Sequence, residues 1–189
     1  GYLTQGIRNR KNLTIMTESF VKEILFDGKK CIGVRVRIKG KDKKFLAKEI
    51  ILSSGAIHSP AHLMRAGIGP AMDLKDKGIN VLKNLGGVGQ RLMDHPSINI
   101  ASFIKPEARI NEYSRRHLLV GMRYSSGLKN IPKGDMYVAV CSKTAWHSIG
   151  DQLAAFILFV NRTYSETGQV RLSTTDPYDE PVVEFNLLS

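Results

Sequence analysis

The stretch that most narrows the fold is Ile32 to Ile38, read as IGVRVRI. Ile32, Val34, Val36 and Ile38 alternate with Gly33, Arg35 and Arg37, the period of two that marks a half-buried strand. Phe20 to Phe26 precedes it as a second strand, with Asp27-Gly28 between them as a two-residue hairpin signal. The basic run Lys39 to Lys44 then reads as a solvated turn, and Phe45 to Leu52 as the returning strand. Two consecutive hairpins specify an antiparallel unit. Because Phe45 to Leu52 is the more apolar, a central and doubly covered position is expected for it. Asn12 to Thr17 alternates as well and reads as one more half-buried strand.

Downstream the texture becomes mixed. Ser53-Ser54-Gly55 breaks the last strand, and Ser59 with Pro60 has the form of a helix start. Gly67 is placed to stop that helix, a second runs over Ala71 to Lys77, and Gly78 ends it. Ile79 to Leu82 reads as a brief strand and Gly86 to Gly89 as a loop. From Ser97 onward, strands are expected at Ile98–Ile104, Met136–Cys141, Ala154–Asn161 and Gln169–Ser173, around a helix at His117–Tyr124. The fold class is α+β (mixed α/β), with a change of character near residue 97 and expected parts 1–96 and 97–189.

Composition bounds the function. The chain of 189 residues carries 28 Lys and Arg against 17 Asp and Glu, a net +11. That raises RNA or an anionic membrane as a partner. The excess is uneven: residues 1–50 hold 13 basic and 5 acidic side chains, residues 151–189 hold 2 and 6. The basic run has no interleaved aromatic residues to stack bases, so no specific nucleic-acid partner is expected. No run of 18 apolar residues is present, so no transmembrane segment is expected. Cys31 and Cys141 form no metal or redox spacing and read as core thiols in a reducing compartment; a cytoplasmic location, or one peripheral to the inner membrane, fits. No leader opens the chain, and Gly1 in place of Met reads as a cut or processed start.

Several motif fragments do not hold up. Gly67-Ile68-Gly69 and Gly87-Val88-Gly89 each begin like GxGxxG but lack the third glycine and the strand–helix context, so both read as turns. His58 and His62 are four apart, yet Ser59 stands where a zinc hydrolase needs Glu, and no third ligand is evident. Asp94 and His95 are adjacent and read as groups that hold a turn by hydrogen bonds. No metal site follows.

Ser53 to Pro70 (SSGAIHSPAHLMRAGIGP) resembles the second signature of the glucose–methanol–choline (GMC) flavin oxidoreductases, SAGAxxSPxLLxLSGIGP. Asn12 to Ile15, Val21 to Gly28 and Gly33-Val34 resemble that family's NLTV, VxxILFDG and GV elements. Leu85 to Pro96 (LGGVGQRLMDHP) is similar to PGVGxNLQDHP, and Gly168 to Ser189 to GxVxLxSxDPxxxPxIxxNYLS. These matches fall in family order; residues 98–167 match weakly. The chain departs from the pattern at His62 (for Leu), Ala66 (for Ser) and Arg91 (for Asn).

The resemblance implies FAD as cofactor and a small-molecule alcohol as substrate. It implies a partial FAD-binding domain at 1–96 with antiparallel hairpins, and part of a substrate-binding sheet domain at 97–189. Val21 would offer its backbone to the adenine edge, with core packing as the plainer reading of its side chain, and Ser54 and Gly55 would bring backbone close to the ADP half. The family's pyrophosphate-seating glycine turn and its catalytic histidine have no counterpart in these residues, so no catalytic residue is nominated. The expectation is a central fragment of an alcohol dehydrogenase or oxidase, inactive alone, with FAD held by the full-length parent and self-association through surfaces left by truncation. Ser97 stands where choline-oxidising relatives commonly have Glu, and Trp146 is the single Trp available to a cationic substrate, so a small, aromatic or apolar primary alcohol is preferred to choline. The alternatives are a basic non-catalytic binding module and a lyase on the same flavin fold.

Overall fold

The alternating run does form a strand, the middle one of three. β1 (Ser19–Asp27), β2 (Lys30–Ile38) and β3 (Lys41–Leu46) pair antiparallel in that order. Asp27 pairs with Lys30, so the first loop is Gly28-Lys29, one residue later than expected. Ile38 pairs with Lys41 across Lys39-Gly40, both at positive φ, as a tight primed turn requires. Here β3 begins inside what reads as a turn. It ends at Leu46, on the sheet edge, and Ile51 is 81% exposed. The expected central strand over Phe45 to Leu52 is thus corrected: lysines at 41, 43 and 44 suit an edge that must not recruit other strands. Asn12 to Thr17 forms no strand either; Ile15 and Met16 are exposed.

One irregularity in β1 matters. Val21 pairs with Val36 and Glu23 with Arg35, leaving Lys22 as an extra residue. This β-bulge puts Val21 and Ile24, three apart, on one face, the face of Val34 and Val36. Ile24 and Val36 are buried there. The other face is polar, with Glu23 bonded to Arg35 at 2.7 Å and Asp42 shared by Lys22 (2.9 Å) and Arg37 (3.1 Å).

The residues described are 1–109, 118–144, 147–160 and 167–187 of this computed structural model. They divide into two compact units, Gly1–Gln90 with Gln169–Glu184 and Arg91–Gly168 with Phe185–Ser189. The expected parts 1–96 and 97–189 therefore differ from the structure in two respects: the second unit begins at Arg91, and residues 169–184 return to the first unit. Backbone bonding explains it, since Val170 N–H donates to Gly89 C=O at 2.6 Å and Gln90 bridges Gln169.

The first unit opens with a single helical turn, α1 (Gln5–Arg8), and holds α2 (Gly55–Arg65) and α3 (Ala71–Asp76). Two short ladders complete it: β4 (Ile68–Gly69) with β5 (Lys83–Asn84), parallel, and β10 (Gln169–Arg171) with β11 (Val182–Glu184), antiparallel. The brief strand expected at Ile79–Leu82 is corrected to Lys83–Asn84, just beyond it, where Gly67 C=O accepts from Leu82 and Lys83 N–H. Ala61, Met64, Leu74, Val170 and Leu172 are buried together with Ile24 and Val36 as its core. The helix expected to start at Ser59-Pro60 starts one turn earlier. Ser59 still serves that end, from inside: its Oγ accepts from Ser54 N–H at 3.0 Å.

The second unit is a four-stranded antiparallel sheet, β6 (Ser97–Phe103), β9 (Leu153–Val160), β8 (Met136–Cys141) and β7 (Leu118–Tyr124), in that spatial order. The helix expected at His117–Tyr124 is corrected to strand β7 (His117 lies outside the described residues). A seven-residue apolar run does not distinguish the two periods, and pairing from Leu118↔Cys141 to Tyr124↔Met136 decides it. Ile98, Leu158, Val138 and Met122 form one row across the sheet. On this face Ile98, Val120 and Met122 are more than half exposed; on the other, Ala139, Leu153 and Ala155 are buried. His95 braces one end, its Nδ1 2.8 Å from Val160 C=O, while its N–H donates to Asp94 at 2.7 Å. These are the turn-holding roles read from the sequence. Asp135 braces the same end, next to Met136, which pairs with Val160, and accepts from Ser126 N–H at 2.9 Å. Cys31 and Cys141, expected as core thiols, are both half-buried and free. Among the described residues no helix is long and apolar enough to cross a membrane.

Gly67 ends α2 at φ +82°, and a Cβ there would stand 2.4 Å from Asn80 C=O. Gly78, at φ +71°, faces open space. Gly67→Ala should therefore cost at least about 2 kcal/mol in urea unfolding and Gly78→Ala nearer about 1 kcal/mol. Equal losses would mean that the close approach to Asn80 yields freely.

Candidate cofactor site

Sequence reasoning singles out Val21, Ser54 and Gly55, and two elements position them. Val21 lies on β1, an edge strand, so one row of its backbone groups faces no partner strand among the described residues. Ser54 and Gly55 start α2, whose first N–H groups lack intrahelical acceptors. Val21 and Ser54 line one cavity of about 410 Å³, within the range of small-ligand sites. Gly55, next in the chain, has φ +79°, and nothing lies within 4 Å of where its Cβ would be. The constraint is thus on the backbone, since an L residue is strained at that φ. The free space beside it would admit a ligand close to the chain.

The cavity has walls that were not nominated. Phe20 and Tyr178 stack with ring centroids 4.8 Å apart and planes 12° from parallel, and both rings line it. Lys22 Nζ sits 5.9 Å over the Tyr178 ring. His58, His62 and Arg65 line it from α2. Their spacing of four and three residues puts them on one helix face, a signal legible in the sequence but weighed there only as a metal pair. The fourth wall is the segment 177–180. Arg65 Nη2 holds it by donating to Asp179 C=O at 2.8 Å, and His58 Nε2 lies 3.7 Å from Glu180. The Phe20–Tyr178 contact joins distant parts of the chain and leaves no local trace in the sequence.

Electrostatics follow from burial. Desolvation pushes the Arg65 guanidinium below its ordinary value, against the pull of Asp176, Asp179 and Glu180; its buried Nε has no hydrogen-bond partner among the described residues. Desolvation likewise lowers His62, and the charges of Arg65 and His58 add to it. Lys22 and Glu23 on β1 and Arg35 on β2 line the adjoining cavity with His62. Around neutral pH the His62 imidazole is therefore uncharged. Residues suited to an adenosine moiety are present: an unpaired strand edge, a helix start, aromatic surface and a neutral imidazole.

The sign of the pH effect is fixed. With the folded value of His62 depressed below its ordinary 6.5, the unfolded chain binds the proton more readily. The contribution of His62 to stability is complete above that value and is lost as pH falls through the folded one. An NMR titration should give His62 a midpoint below 6.5, and His62→Leu should flatten the decline of stability on acidification.

The second unit holds a larger cavity, about 960 Å³, on the exposed sheet face. Ile98, Met136, Leu158 and Val160 line it from the strands, and Phe185 and Leu187 from the terminal segment. Among the described residues that line it, the polar ones are Ser97 and Asn186.

Residues 1–97 match the family described as GMC oxidoreductase. Over 194 aligned residues the chain is 38% identical to 5-(hydroxymethyl)furfural oxidase of Methylovorus sp. (strain MP688), covering all of this chain and 35% of that protein. Oxygen-dependent choline dehydrogenase of Staphylococcus aureus (strain MSSA476) is 29% identical, over 95% of this chain and 36% of the relative. The chain thus spans about a third of the curated relatives it matches. A formate oxidase crystal structure superposes with a TM-score of 0.83 at 23% identity, over 95% of this chain and 41% of that one. Pyridoxine 4-oxidase from Mesorbium loti superposes at 0.77 and 24%, over 96% and 36%. Those likenesses support the α+β architecture. With half the chain matched in family order, the protein belongs to the GMC oxidoreductases, a family of FAD-dependent flavoproteins.

Proposed function

We propose that this chain is the adenosine-binding and substrate-facing portion of an FAD-dependent alcohol oxidoreductase. The observation that carries the reading is the shared cavity: Val21 and Ser54, nominated separately from sequence, line the same 410 Å³ space, with Gly55 directly following. In this reading the β1 edge at Val21 hydrogen-bonds the adenine edge. The N–H groups at the start of α2, with the positive end of the helix dipole, favour the diphosphate. When bound, FAD supplies a hydride acceptor for the carbinol carbon of the substrate.

The substrate side favours an apolar or aryl primary alcohol. The described wall of Ile98, Met136, Leu158 and Val160 is apolar and suits an apolar or aryl ring. Identity to the furfural oxidase, at 38% against 29% for the choline dehydrogenase, points the same way. Trp146, the residue weighed for a cationic substrate, lies outside the described residues.

ADP added to the purified chain should perturb the backbone amides of Val21, Ser54 and Gly55, and Gly55→Val should abolish the response. Perturbation confined to other residues would refute the cofactor reading. A longer flavin-loaded protein containing this chain should turn over an aryl primary alcohol with kcat/KM at least tenfold above choline. The reverse preference would refute the substrate assignment.

A further inference from the structure

We propose that Tyr178 is a base-stacking residue, holding the purine ring of the bound nucleotide through its stack on Phe20. The proposal rests on reading the 410 Å³ cavity as the adenosine seat and adds to it a residue from the far end of the chain. Phe20 is the neighbour of Val21 on β1, so an aromatic surface stands next to the strand edge assigned to the adenine edge. Tyr178 lies face to face on Phe20, yet the two residues keep 53% and 41% of their area exposed. The pair lines the cavity and presents flat π surface to it.

The segment carrying Tyr178 is also held in advance. Thr174 Oγ1 donates to Asp179 at 2.6 Å and accepts from Asp176 N–H at 3.0 Å. Tyr178 N–H donates to Asp176 at 2.9 Å, and Ser173 Oγ donates to Glu180 C=O at 2.5 Å. With Arg65 Nη2 on Asp179 C=O, the turn fixes an exposed ring before any ligand arrives, which reduces the ordering cost of binding. Stacking strength grows with the π surface of the base, so the larger purine ring is favoured over a pyrimidine and the ligand class is a purine nucleotide.

The test is binding of AMP, GMP and UMP to the full chain, by calorimetry and ligand NMR. AMP and GMP should bind within a few-fold of each other and more tightly than UMP, with upfield ring-current shifts on the adenine H2 and H8. Tyr178→Phe should bind AMP within about twofold of wild type. Tyr178→Ala should bind about tenfold more weakly, lose the preference over UMP and lose the ring-current shifts. Thermal unfolding of both variants separates loss of the ring from loss of the fold. Should Tyr178→Ala bind AMP as wild type does, with the amides of Val21, Ser54 and Gly55 still responding, the stacking role falls and the cofactor reading stands. If the wild-type chain binds no nucleotide, both fall.

Discussion

The burial of one stripe of α2 governs the first unit. Ala61 and Met64 are nearly inaccessible, and the Met64 Cγ lies 3.0 Å from where a Gly69 Cβ would be, with its Cε near Gly89. Leu74 closes the same contact from α3. Removing so much apolar surface from water sets the rotation of the helix about its axis. The adjoining face, with His58, His62 and Arg65, is thereby directed at the cavity. The helix start is also placed beside β1, and the cavity exists because that helix cannot turn.

The bulge at Lys22 contributes the other half of the geometry. Without the extra residue, Val21 and Ile24 would lie on opposite faces of the strand, and the pairing of Val21 with Val36 would be lost. With it, Ile24 anchors the strand in the core while Lys22 leaves the ladder to reach Asp42 and the Tyr178 ring. A local irregularity of register thus joins a packing requirement to a binding one. Bulges near ligand sites commonly do so.

Much of this was legible in the residues, and the misses have physical causes. IGVRVRI declared β2 because alternation has a single simple structural meaning when both neighbours are turns. Ile50 to Leu52 misled because an apolar run reads as buried, whereas the ladder stops at Leu46 and Ile51 is exposed. Ser59 and Pro60 misplaced the start of α2 because a hydroxyl can reach back to a helix end as well as begin it. Leu118 to Tyr124 was decided by β8, a partner that a local reading does not contain. At the cavity, Val21, Ser54 and Gly55 were found through the resemblance to the GMC family. The Phe20–Tyr178 stack depends on a contact between the second strand signal and the last motif of the chain, which no local pattern encodes.

The bond from His95 to Val160 in the second unit has a consequence of its own. A carbonyl oxygen only accepts, so the imidazole must carry its proton on Nδ1 for the 2.8 Å contact to be a hydrogen bond. A neutral ring then keeps its lone pair on Nε2. The joint between the Asp94–Pro96 turn and the end of β9 therefore fixes the tautomer of its own histidine and leaves Nε2 as the ring's free acceptor position.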